Sequence, residues 1–135
     1  MIQRQTQVLL RETYALLLAA QRRSRQASLQ LARAGGEPGN PELLEGAIAA
    51  HDSFIKLYHR LNLDAPKSIW REARALQDVL GDMLMTAAAG NEVECERLMK
   101  TARSARQNLE GSFREFLQRE PLQTRKNVGK YDRFM

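Results

Sequence analysis

The chain of 135 residues is poor in most features that mark a catalyst, a secreted protein or a membrane span. Its one cysteine, Cys95, excludes an internal disulfide and makes a reduced, cytoplasmic setting the simplest expectation. Its two histidines, His51 and His59, stand about 12 Å apart along one helix, too far to chelate one ion. No Glu-x-x-His pair, glycine-rich phosphate loop or nucleophile elbow occurs. The longest apolar run, Tyr14 to Ala20, is far short of the roughly 20 residues that cross a bilayer. It flows into Gln21-Arg22-Arg23 without a small-residue cleavage site, so no signal peptide is expected. Four prolines and an aromatic fraction of 6% favour helix over sheet.

The remaining candidates for chemistry have plainer roles. Asp78 and Asp82 stand one helical turn apart and can in principle bind a metal or share a proton. No third ligand accompanies them, so a solvated face is expected. Cys95 lies near a predicted helix start, where a thiol pKa can fall, but Glu92, Glu94 and Glu96 oppose thiolate formation. A packed, hydrophobic role is expected for it. His51 falls on an apolar stripe and is expected to be a hydrogen-bonded seam residue, with His59 at the surface. No catalytic, cofactor-binding or metal-binding residue is assigned, and a non-enzymatic protein is expected.

What the chain does have is helical rhythm. The first helix is expected from Gln3 to Ala34, with Leu9, Leu16, Ala20, Ala27, Leu31 and Ala34 on one face. Gly35-Gly36 and Pro38-Gly39 stop it. Asn40 is expected to cap the second helix, with Pro41 at its first position and Glu42 and Glu45 complementing its positive end. Its stripe is Leu44, Ala47/Ile48, His51, Phe54/Ile55, Tyr58 and Leu61, and Pro66 ends it near Leu63. Ile69, Ala73, Leu76, Leu80, Met83 and Ala87 form the cleanest seam, on a third helix starting near Pro66. Tyr58 and Trp70 flank the connection between these two helices.

Gly90-Asn91 is either a turn, with Asn91 and Glu94 in a capping box, or a local adjustment within one long helix; the turn is preferred. Cys95, Leu98, Ala102, Ala105, Leu109, Ser112/Phe113 and Phe116 continue the pattern until Pro121 closes it. The expected fold is all-α: an antiparallel four-helix bundle, or three helices with one very long member, without a β-sheet. Residues 1–120 form the bundle and 121–135 a basic, aromatic tail.

The net charge of +5 is uneven. Residues 1–34 carry six arginines against Glu12, whereas residues 35–90 carry five basic and eight acidic groups. Arg22, Arg23 and Arg25, with Arg125 and Lys126, are the candidate phosphate contacts of a nucleic-acid accessory protein. Consecutive helical residues point about 100° apart, so the first three make no flat stripe. Arg97, Lys100, Arg103 and Arg106 also drift around their helix, and a solvated face is preferred.

The run Leu16-Leu17-Leu18-Ala19-Ala20 is apolar around nearly the whole helix, wider than one core-facing stripe. It is either buried within the monomer or meets another chain on its outer side. Tyr14, Leu17, Leu18, Leu98, Leu109 and Phe113 are the candidate partner surfaces. In the tail, Tyr131, Phe134 and Met135 are costly to leave in water and are expected to pack on an apolar groove of this chain or a neighbour. Partners considered are a helical segment of another protein, a second copy in a homo-oligomer or, less favoured, nucleic acid.

Three stretches carry a resemblance: Tyr14-Ala-Leu-Leu-Leu with Leu31-Ala-Arg-Ala-Gly35; Asn91-Glu92 followed by Leu98-Met99 and Leu109; and Arg125-Lys126 followed by Lys130-Tyr131. In layout the chain resembles the flagellar type III export chaperones, the FliT-like filament-cap chaperones and their FlgN-like relatives. Those are small cytoplasmic helical proteins that hold flagellar subunits before export. The resemblance implies a chaperone or adaptor role.

Overall fold

The computed structural model describes the backbone of residues 2–125, and side-chain surroundings for residues 8–61 and 65–118. Four helices fill it: α1 (Ile2–Arg33), α2 (Pro41–Asp64), α3 (Lys67–Ala88) and α4 (Glu92–Arg125). No strand occurs among the described residues. Short connections between amphipathic helices give the antiparallel bundle. The Gly90 joint turns, which excludes the long-helix alternative. Among the described residues every helix pair is in contact except α2 and α4. The cross-section is therefore a rhombus whose short diagonal joins α1 to α3.

The seam of α3 is as its periodicity predicts: Ile69, Ala73, Leu76, Leu80, Met83 and Ala87 are all buried. Cys95, Ala102, Leu109 and Phe113 meet them from α4, and Phe54, Tyr58 and Leu61 from α2. Each fully buried Leu or Phe contributes about 1.5–3 kcal/mol.

The inward face of α1 differs from expectation. Leu10, Leu17, Ala20 and Leu31 are buried, but Leu9, Leu16 and Ala34 are exposed and Ala27 is half-buried. Polar residues complete the inner stripe: Thr13, Gln21, Ser24 and Ser28 are buried too. Ala20, Ser24 and Ser28 put small side chains on this inner stripe, which lets neighbouring helices approach α1 closely.

Both joints at one end use the same device. The amides of Gly35 and Gly36 return to the carbonyls of Ala32 (3.1 Å) and Leu31 (3.0 Å). Those of Gly90 and Asn91 return to Ala87 (2.9 Å) and Thr86 (3.1 Å). These are paired C-terminal caps with a left-handed glycine, φ +102° at Gly35 and +75° at Gly90. The Glu37 amide then donates across to the Ala88 carbonyl at 2.8 Å, satisfying a helix-end acceptor of the other hairpin.

Three boundary expectations change. Asn40 makes no side-chain cap on α2. Its Nδ2 turns back to the carbonyls of Ala34 (3.0 Å) and Gly36 (2.9 Å), which the end of α1 leaves without helical partners. Asn91 does cap α4, accepting from the Glu94 amide at 3.1 Å, but the Glu94 carboxylate runs forward to Arg97 instead of back. A charged partner one turn ahead outcompetes a backbone amide, so the capping box is only half made. Finally, α4 continues through Pro121 to Arg125. Proline removes one donor and crowds one carbonyl, which does not end a helix anchored upstream by Leu109 and Phe113.

Candidate functional site

The pairing of α1 with α4 is read from three contacts. Tyr14 stacks on Phe113, with ring centroids 4.1 Å apart and planes 29° from parallel. Arg25 Nη1 reaches Met99 Sδ at 3.2 Å. Arg33 bridges Glu92 (3.6 Å) and Glu96 (3.4 Å). Numbers rise along one helix as they fall along the other, as antiparallel neighbours require.

Between the two helices lies a cleft of about 650 Å³. Leu18, Leu29 and Met99 form apolar wall; Arg22 and Arg25 line it from α1, Arg103 and Arg106 from α4. In each pair the arginines stand three residues apart, on one side of their helix. Arg25 Nε donates to Gln21 Oε1 at 2.8 Å, and Gln21 Nε2 donates to the Leu18 carbonyl at 3.0 Å. Arg106 Nη1 meets Glu110 Oε2 at 2.6 Å, the one carboxylate lining the cleft. Arg106 Nε is buried without an acceptor. Burial, and then the guanidiniums of Arg106, Arg103 and Arg22, hold the Arg25 pKa below the usual arginine value.

A second feature runs along the outer side of α1. Val8, Leu9 and Leu16 are 49%, 54% and 51% exposed, with Ala15 and Ala19 beside them and the exposed charges Arg11 and Glu12 between Leu9 and Leu16. The leucine-rich run thus divides: Leu17 faces the core and Leu16 faces out.

Among the candidate partner residues, Leu17, Leu109 and Phe113 are fully buried and Leu98 nearly so. The expectation of an open surface at these four is corrected, because the bundle interior already covers them. Tyr14 and Leu18 are half-buried, and burial, then Glu110, raises the Tyr14 pKa. Arg22 and Arg25 converge on the cleft, whereas Arg23 is exposed and does not line it. Arg103 is exposed, as a solvated face requires, and Arg106 is half-buried; both also line the cleft. The side chains of Arg125, Lys126, Tyr131, Phe134 and Met135 lie outside the described residues, as does the expected docking of the tail.

Cys95 is buried, its Sγ 3.9 Å from the Met83 carbonyl; burial, then Glu96, raises its pKa, which favours the thiol. His51 is half-buried beside Gly81, and its Nδ1 has no partner, which corrects the expected hydrogen bond. Asp78 and Asp82 are exposed. Among the described residues no three His, Cys, Asp or Glu side chains are grouped to hold a metal ion, and no helix is long and apolar enough to cross a membrane. No family model, curated protein or solved structure matches the chain.

Proposed function

We propose that this protein is a non-enzymatic chaperone or adaptor that holds a helical segment of another protein. The observation that carries the reading is the second apolar face of α1. Leu10, Leu17 and Leu31 satisfy the bundle's core, so Val8, Leu9 and Leu16 are surplus to folding. An amphipathic partner helix laid along α1 removes them from water, with Leu9 and Leu16 two turns apart as its anchors. The layout resemblance to flagellar export chaperones agrees with a protein that holds a subunit before export.

Purification from the producing cells at physiological salt should recover a stoichiometric partner. A Leu9→Ser/Leu16→Ser double variant should keep the helical content and lose that partner. Recovery of the wild-type protein alone sinks the reading, as does a partner retained by the double variant. Truncation after Arg125 should change partner affinity if the tail competes for or extends the same face.

A further inference from the structure

We propose that the cleft between α1 and α4 binds a phosphate-bearing small molecule, its phosphates held among Arg22, Arg25, Arg103 and Arg106 and its apolar part against Leu18, Leu29 and Met99. This is independent of the partner-binding face of α1.

Four guanidiniums converge on one cleft of about 650 Å³, with Glu110 as the single carboxylate in the lining. Arg22, Arg25 and Arg103 make no ion pair among the described residues, unlike Arg33, Arg97 and Arg106. Arg25 and Arg106 are half-buried beside a partly apolar wall with the exposed Arg22 and Arg103 close by, so like charges repel there and the two inner ones lose hydration, an arrangement that costs stability unless an anion joins them.

The donors also lack adequate acceptors. Arg25 spends one N–H on an amide oxygen and another on a thioether, a weak acceptor for a cation. Arg106 Nε is buried and unpartnered. Planar guanidiniums present parallel N–H pairs that match phosphate oxygens. The size lies within the range of small-molecule clefts, and apolar wall beside convergent cations suits a ring joined to phosphates.

A small molecule fits better than a nucleic-acid backbone. A backbone needs a continuing track of cations, whereas the lining of this cleft holds four arginines and is interrupted by Glu110. Arg23, the nearest extra arginine on α1, lies off the cleft.

The test is thermal unfolding and calorimetry with inorganic pyrophosphate and with ADP, ionic strength held constant with sodium chloride. The unfolding midpoint of the wild type should rise with the logarithm of either ligand's concentration. Arg25→Gln and Arg103→Gln should each bind at least tenfold more weakly, and Arg23→Gln should bind as the wild type does. Without ligand, Arg25→Gln should be at least as stable as the wild type, because a repulsive charge is gone. Arg103 is exposed, so its variant reads binding even if position 25 proves sensitive. The proposal is overturned if chloride at matched ionic strength stabilises as much as pyrophosphate. It is also overturned if Arg23→Gln weakens binding as much as Arg25→Gln, or if a single-stranded oligonucleotide binds more tightly than both small ligands.

Discussion

Gly36 and Gly90 stand back to back where the two helical joints cross. A methyl group on Gly36 would lie 2.6 Å from the Gly90 nitrogen, and one on Gly90 would lie 2.5 Å from the Gly35 carbonyl oxygen. Both residues also have positive φ, +92° and +75°. A side chain there costs about 1–2 kcal/mol for conformation alone, and the clash adds to it. Gly36→Ala and Gly90→Ala should each lose about 3 kcal/mol or more in urea unfolding. Gly39 is the control: its φ is +82°, but nothing lies within 4 Å, so Gly39→Ala should lose about 1 kcal/mol. Equal losses at all three positions would show that backbone conformation alone matters. The double variant should lose less than the sum of the singles, because one shift of the joints relieves both clashes.

Two helical glycines should respond the other way. Gly46 in α2 and Gly111 in α4 have open space where a methyl group would sit. Alanine at either should stabilise by about 0.5–1 kcal/mol, mainly through reduced freedom of the unfolded chain. Denaturant midpoints should rise with the slope unchanged.

The buried hydroxyls of Ser24 and Ser28 have no hydrogen-bond partner. An unsatisfied buried polar group costs about 1–3 kcal/mol, and alanine is a better helix former of nearly the same size. Ser24→Ala and Ser28→Ala should each raise stability by about 1 kcal/mol. A loss in either would mean that the hydroxyl has an acceptor in solution, most simply a water molecule.

His51 should give the bundle a pH dependence. Burial depresses its pKa from the ordinary 6.5, with Asp52 opposing. The folded state therefore binds the proton less readily than the unfolded state. Its contribution is fully present above about pH 6.5 and is lost as pH falls through the folded value. Stability should decline with acidification across that window, and His51→Gln should flatten this part of the profile. An unchanged slope in the variant would assign the effect elsewhere.

Where the apolar pattern had one phase, the sequence was sufficient. The α3 seam from Ile69 to Ala87 is buried at every predicted position, because no other register keeps six apolar residues together. On α1 the pattern had no unique phase. Leu16, Leu17 and Leu18 are consecutive, and the inner stripe runs through Gln21, Ser24 and Ser28, which a search for apolar spacing passes over. The arginine cleft was hidden for another reason. Arg22 with Arg25 and Arg103 with Arg106 are each ordinary pairs, and only the register between α1 and α4 makes them one cluster. Counting both helices outward from their glycine joints would have found it, because those joints lie at the same end. The unpartnered Nδ1 of His51 left no mark in the sequence, since it depends on what α3 places opposite.

The crossing of the joints also bears on how long a folded molecule lasts. Positions 36 and 90 are 54 residues apart in the chain. Each helical hairpin closes through a short connection, so the crossing can form only once both hairpins exist and have docked. A contact made that late does little to hasten folding and instead raises the barrier to escape. The two glycines should thus act as a latch: alanine at either should speed unfolding far more than it slows folding.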